Sequence, residues 1–279
     1  MAQTILITGC STGIGHALAL AFHARGAQVL ASARRPEALA DLQARGIRIC
    51  ALDVNSADSR AALLAYLDSE GLEVDVLVNN AGYGAMGPLV EMSQETLHQQ
   101  FETNVFALVA MIQAVVPQMA RRGRGCIVNI GSVSGVLPTP FSGAYCATKA
   151  AVHALSDSLR IELAPLGIRV MVVQPGGIAS QFGATASQGV AERSASLSLY
   201  APVADAIAAR ANASQDKATP AEEFARVMVD AVLAANPAAV VRIGHGSFAM
   251  PFIKRWLPTP VLDRILSRRF RLDRLSTSR

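Results

Sequence analysis

The sequence predicts one doubly wound α/β domain, built on a mainly parallel seven-stranded sheet and followed by a helical C-terminal extension. Three observations carry this. Seven short runs of β-branched and aliphatic residues recur along the chain, helical periodicity separates them, and several runs are apolar at successive rather than alternate positions. Unbroken apolar runs mark strands covered on both faces, as in a parallel sheet between two helical layers. With 279 residues, 51 % of them hydrophobic, and no Gly/Pro/Ser-rich linker, one large domain fits better than two small ones.

In chain order the strands are expected at Thr4–Thr8, Gln28–Ala31, Ile47–Ala51, Val74–Val78, Gly125–Asn129, Arg169–Val173 and Ala239–Ile243. Helices are expected at Gly15–Arg25, Pro36–Ala44, Ser59–Ser69, Gln94–Met119, Ala144–Ala164 and Pro220–Ala235. The last carries its own start signal: Thr219 is placed to cap it, Pro220 suits its first position, and Glu222 suits the return bond of a capping box. Residues 179–218 turn to Ser, Ala, Gln and Gly with few anchoring aliphatics. That composition suggests a mobile segment over a binding site, here read as a substrate lid, with an ordinary surface insertion as the alternative. The catalytic domain is therefore placed at 1–245 and the extension at 246–279.

The chain holds 25 basic and 21 acidic residues, a net charge of +4, too small to imply a nucleic-acid partner. The excess is concentrated from Arg242 to Arg279, where nine basic residues face only Asp263 and Asp273. Ser247–Pro258 and Val261–Leu272 mix these arginines with bulky apolar residues, giving amphipathic pieces. Packing on the domain is the leading reading; a subunit contact and a membrane-surface helix are the alternatives. Cys10, Cys50, Cys126 and Cys146 are scattered, with no CxxC pair and no histidine cluster, so no metal site is expected and a reducing compartment is. The N-terminus lacks the pattern of a signal peptide; the expectation is a soluble, cytoplasmic protein.

Thr8-Gly-Cys-Ser-Thr-Gly-Ile-Gly15 directly follows the first expected strand and opens the first helix. Glycines at such a βα turn let the backbone approach a pyrophosphate, whose charge meets free amides and the positive end of the helix. This marks a Rossmann-type dinucleotide site using Gly9, Ser11, Thr12, Gly13, Ile14 and Gly15. After the second strand, Ser32-Ala-Arg-Arg35 offers no carboxylate for a ribose 2′-hydroxyl and two arginines for a 2′-phosphate. NADP is therefore favoured over NAD, with Arg34 the better candidate.

Tyr145 and Lys149 lie four apart in a helical segment, so both project from one face, where an ammonium can stabilise a phenolate and lower the tyrosine pKa. Lysine occurs only three times in the chain, which adds weight to a specific role. Asn79-Asn-Ala-Gly82, Asn129-Ile-Gly-Ser132 and Pro175-Gly-Gly177 fall at the ends of three expected strands, on the edge where ligands bind in an open parallel sheet.

Together these motifs resemble the short-chain dehydrogenase/reductase family over roughly Thr4 to Arg242, and within it the NADP-dependent 17-beta-hydroxysteroid dehydrogenase-like reductases. The resemblance implies a tetrad of Asn104, Ser132, Tyr145 and Lys149. Ser132 would hold the substrate oxygen and Tyr145 exchange its proton, while Lys149 would bond the nicotinamide ribose and Asn104 hold a water linked to the lysine. Asp53 and Val54 would flank the adenine, Asn80 would lie along the ribose beside Ala81 and Gly82, and Pro175, Gly176, Ile178 and Ser180 would meet the nicotinamide end. Gly131 departs from the family pattern, where a second serine is common, and Ser180 stands where threonine is usual. The implied activity interconverts an alcohol and a ketone or aldehyde on an apolar small molecule, in a homodimer or homotetramer. A catalytically silent NADP-sensing or scaffold protein on the same fold is the rival reading, against which all four tetrad positions are filled.

Overall fold

The computed structural model describes residues 2–194 and 197–275; the portions of the expected lid and extension at 195–196 and 276–279, Arg279 included, lie outside the described residues. Seven strands form one sheet: β1 (Thr4–Ile7), β2 (Gln28–Ala33), β3 (Arg48–Ala51), β4 (Val76–Asn79), β5 (Gly125–Ile130), β6 (Ile168–Pro175) and β7 (Val240–Ile243). Their order is β3-β2-β1-β4-β5-β6-β7, every adjacent pair parallel. The helices among the described residues are α1 (Gly13–Ala24), α2 (Ala40–Ala44), α3 (Ala57–Ser69), α4 (Gln94–Phe101), α5 (Ala107–Arg122) and α6 (Gly143–Leu163). They continue with α7 (Phe182–Ser194), α8 (Ala204–Asn212), α9 (Ala221–Leu233), α10 (Ala249–Trp256) and α11 (Thr259–Arg269).

Successive strand residues point to opposite faces, and here both faces are buried. Ile5 and Ile7 belong to the core shared with α1 and α9, around Phe22 and Phe224, whereas Leu6 and Leu77 join the core formed with α3, α5 and α6, around Leu63, Val115 and Val152. Each such side chain contributes roughly 1.5–3 kcal/mol on burial. Two cores explain why the strand runs are apolar at every position. The strand order reverses direction between β1 and β4, and the crevice at their carboxyl ends is where such a sheet takes a ligand.

Three expected elements form differently. The helix expected at Pro36–Ala44 is a 3₁₀ turn, Pro36–Leu39, followed by the five-residue α2. The helix expected at Gln94–Met119 is broken by a π turn at Glu102–Phe106, which inserts Asn104 between α4 and α5; such turns gather at functional sites. The capping box at Thr219 does not form. Helix α9 starts at Ala221 without a side-chain cap, because the Thr219 hydroxyl accepts the His245 amide at 3.1 Å and its backbone bonds Gly177 and Ala179.

Residues 179–218 contain α7 and α8, where half the described buried side chains are alanines: Ala186, Ala206 and Ala211 beside Val190, Ile207 and Arg210. Alanine-based packing is what makes the segment read as weakly anchored in composition. The extension divides in two. Phe270 is buried edge-on to Phe141 with ring centroids 6.0 Å apart, and Arg271 and Arg274 pair with Asp205 of α8. By contrast α10 leaves Phe248, Phe252 and Trp256 exposed.

Candidate active site

Every residue singled out from the sequence lies at or beyond the carboxyl edge of the sheet. The glycine loop joins β1 to α1, Arg34 follows β2, Asp53 and Val54 follow β3, and Asn80, Ala81 and Gly82 follow β4. Ser132 follows β5, Asn104 sits in the π turn and Tyr145 and Lys149 in α6, while Gly176, Ile178 and Ser180 lie beyond Pro175, the last residue of β6.

The glycine loop is shaped for close approach. Gly9 has φ +73°, which favours glycine. A Cβ on Gly15 would stand 2.3 Å from the Gly9 carbonyl oxygen and 2.5 Å from Asn80 Nδ2. Thr12 precedes α1 without capping it through its side chain, and no acidic residue occupies the first turn. The first amides of α1 therefore keep their donors for an anion, as a dinucleotide pyrophosphate requires. Arg34 and Arg35 are exposed and form no ion pair among the described residues, so their charge is available beside the adenosine end of such a ligand. The donor set fits a nicotinamide dinucleotide.

Two of the expected cofactor-contact residues also make bonds within the protein. Asn80 Nδ2 donates to the carbonyls of Thr8 and Gly9 at 2.9 and 3.0 Å, so the side-chain amide nitrogen fastens the glycine loop. Thr8 Oγ1 completes that tie by accepting the amides of Asn80 and Ala81, each at 3.0 Å. Asp53 accepts the Asn55 amide through Oδ1 at 3.0 Å. At the other end, the Ile178 carbonyl accepts Gln215 Nε2 at 3.2 Å and Ser180 Oγ at 3.3 Å, while its amide donates to no described residue.

The chemical centre is buried. Tyr145 is 9 % exposed and Lys149 6 %, with Lys149 Nζ 5.8 Å from the centre of the Tyr145 ring. Lys149 donates to the Ile130 carbonyl at 2.7 Å. The Ser132 side chain acts on the phenol, pulling its pKa down, and Ser132 Oγ accepts the Ser134 amide at 3.1 Å. The expected lowering of the tyrosine pKa is not what the protein alone produces. Burial pushes Tyr145 up to about 12, against the opposing pull of the Ser132 side chain, and pushes Lys149 down to about 8. Desolvation, beside the Phe182 ring whose centre is 5.2 Å away, outweighs both Ser132 and the charge of Arg210, the cation that lowers the phenol's pKa. Near neutrality the group is a phenol, a proton donor.

Asn104 is 1 % exposed. Its Nδ2 donates to the Tyr83 carbonyl at 2.9 Å and to Thr148 Oγ1 at 3.1 Å, and its Oδ1 accepts the Tyr83 amide at 3.1 Å. Both side-chain donor hydrogens are used, so Asn104 acts first as the brace between α6 and the chain leaving β4.

Sequence reasoning missed His153. It lies one turn beyond Lys149, and its Nε2 accepts the Ser132 amide at 3.3 Å. A Cβ on Gly131 would meet that Nε2 at 2.4 Å, so the absent second serine and the histidine are one arrangement: the ring occupies the space a side chain at 131 would need. The signal was the stripe Tyr145, Lys149, His153 at four-residue spacing. Burial, with Lys149 nearby, lowers His153 to about 4 from 6.5. The unfolded chain then takes up the proton first, so this group destabilises the fold as pH falls from 6.5 toward 4. Over that interval the wild-type melting temperature is expected to fall by roughly 5 °C more than that of His153→Gln. Parallel slopes in thermal melts would refute the assignment.

A family model described as short chain dehydrogenase matches residues 3–191. An oxidoreductase of Escherichia coli (strain K12), YbbO, is 34 % identical over 95 % of this chain and 94 % of its own. Among solved structures, a short-chain dehydrogenase from Streptomyces avermitilis aligns over 100 % of this chain and 99 % of its own, with 27 % identity and a TM-score of 0.78. A serine dehydrogenase in a closed form complexed with NADP+ aligns over 87 % of this chain and 94 % of its own, with 27 % identity and a TM-score of 0.75. With the glycine loop, the buried Tyr145–Lys149 pair and the parallel sheet already in place, the chain belongs to the short-chain dehydrogenase/reductase family, an oxidoreductase built for a nicotinamide cofactor.

Proposed function

We propose that the protein is an NADP(H)-dependent oxidoreductase that interconverts an alcohol and a ketone or aldehyde, with Tyr145 as the proton donor and acceptor. The observation that carries this reading is the buried Tyr145 phenol, whose pKa the Ser132 side chain pulls down and whose ring centre lies 5.8 Å from the Lys149 ammonium. When bound, the nicotinamide supplies or accepts the hydride. Ser132 holds the substrate oxygen, and Tyr145 gives that oxygen its proton in reduction or removes it in oxidation. Lys149 keeps a positive charge beside the phenol, and Asn104, through Tyr83 and Thr148, holds α6 in register with the chain leaving β4. The cluster of Met86, Phe141, Phe182, Val190 and Ile207 around Tyr145 supports a substrate with a substantial apolar body, covered by α7 and α8.

Preference for NADP over NAD is supported by Arg34, exposed beyond β2 with no acidic neighbour in Ser32-Ala-Arg-Arg35. The test is absorbance-monitored oxidation of NADPH and NADH by the purified protein over a panel of apolar aldehydes and ketones. Turnover favouring NADPH is expected. Arg34→Ala is expected to raise KM for NADPH by roughly 10- to 100-fold, the worth of a charge-assisted phosphate contact, while KM for NADH stays within about threefold. An unchanged NADPH KM would remove Arg34 from the site, and a preference for NADH in the wild type would overturn the cofactor assignment.

A further inference from the structure

Arg210 lies on the buried side of α8 between Ile207 and Ala211. Those two residues belong to the apolar cluster that also contains Tyr145, Phe141 and Phe270. It is only 9 % exposed. Its Nε donates to Thr139 Oγ1 at 2.8 Å and a terminal nitrogen donates to Ser142 Oγ at 3.1 Å. Both partners are neutral hydroxyls, and Ser142 stands three residues before Tyr145 at the start of α6. The charge of Arg210 pulls the pKa of Tyr145 down, and Arg269 is a second cation in its surroundings. The nearby carboxylate, Asp205, is paired with Arg271 and Arg274 instead. No ion pair joins Arg210 to any described residue.

A guanidinium stays charged even when buried, and a buried charge is costly without a counter-charge. Two of its five N–H donors are engaged by hydroxyls, which leaves donors suited to the planar fork of an oxyacid group. A residue needed only to clamp α8 to the turn at Thr139–Ser142 could be a neutral amide; the positive charge is the part such a clamp leaves unexplained. We infer that Arg210 is the anion-recognising group of the substrate site, and that the substrate class is a carbonyl or alcohol compound with an apolar body and one carboxylate or phosphate group. This rests on the reading of Tyr145 as the proton-transfer residue for such compounds.

The test uses the full chain and matched aldehydes of equal length, nonanal and 9-oxononanoate, with the ω-phosphate analogue as a third arm that separates phosphate from carboxylate recognition. The wild type is expected to favour an anionic member over nonanal by roughly 10- to 100-fold in kcat/KM, the scale of a charged hydrogen bond. Arg210→Gln, which retains hydrogen-bonding capacity toward the hydroxyls, is expected to abolish most of that ratio, and Arg210→Lys to restore part of it. A clamp alone would lower the members together and leave the ratio intact, which overturns the inference, as does a wild type without anionic preference. Binding of nonanoate against 1-nonanol, followed calorimetrically, gives a readout independent of turnover. If no aldehyde is reduced but nonanoate binding depends on Arg210, the anion site stands and the carbonyl reading fails; if aldehydes are reduced with no charge preference and nonanoate does not bind, the reverse holds.

Discussion

Tyr145→Phe is expected to lower kcat by about 1,000-fold while leaving the nicotinamide dinucleotide bound, the range in which a positioned general acid or base operates. The substitution removes one oxygen from a side chain that is 9 % exposed and packed against Phe182, so the ring and its packing survive. What disappears is the hydroxyl proposed as the proton donor, on which the Ser132 side chain acts. The helix stays anchored, because Lys149 bonds the Ile130 carbonyl and Thr148 bonds Asn104 independently of the phenol. Cofactor titration by fluorescence and steady-state kinetics on the same preparation separate the outcomes. Retained binding with lost turnover supports proton transfer through Tyr145; retained turnover would assign the proton to another group, and lost binding would mean that the phenol is chiefly a cofactor contact. Because burial holds the phenol near 12, the group is protonated at neutral pH and set to donate, the state that carbonyl reduction uses.

Much of this fold could be read from the chain because both faces of the sheet are buried. A strand such as Thr4-Ile-Leu-Ile7 has no polar face to disguise it, and its helices carry the complementary stripes. The glycine loop and the strand-end motifs were legible for a related reason: their residue types answer to local backbone and charge demands. The misreadings are places where distant contacts decided. Thr219 has the right side chain for a cap, but the His245 amide, 26 residues away, claims its hydroxyl. The periodicity of Gln94–Met119 runs on through Asn104, whose bonds to Tyr83 and Thr148 coincide with the π turn. Nor could spacing show that Asn80 also holds two carbonyls of the glycine loop. Spacing brought Lys149 beside Tyr145 but could not show that burial dominates the phenol's pKa or that the cation acting on it is Arg210 of α8. The stripe that His153 extends could not show its bond to Ser132, 21 residues away, and Arg210 was invisible for the same reason, its partner Ser142 being 68 residues distant.

Gly15→Ala is expected to weaken binding of the dinucleotide by at least 100-fold, a cost that follows from displacing a preorganised site by about an ångström. The added methyl would sit 2.3 Å from the Gly9 carbonyl oxygen and 2.5 Å from Asn80 Nδ2, and neither neighbour can yield alone. Asn80 is tied through that nitrogen to the carbonyls of Thr8 and Gly9, and Thr8 is tied through its hydroxyl to the amides of Asn80 and Ala81. Relief therefore requires the glycine loop and the chain leaving β4 to separate, which carries the first amides of α1 away from where a pyrophosphate would lie. Gly26→Ala supplies the contrast: its φ of +76° is strained for alanine, yet a Cβ there meets nothing within 4 Å, so it should cost about 1 kcal/mol of stability and no cofactor affinity. NADPH fluorescence titration of the two variants beside thermal melts distinguishes a loop displaced from its ligand from a general loss of stability. Comparable affinity in Gly15→Ala and the wild type would mean that the loop accommodates the methyl without opening, and that the tie through Asn80 is weaker than its geometry indicates.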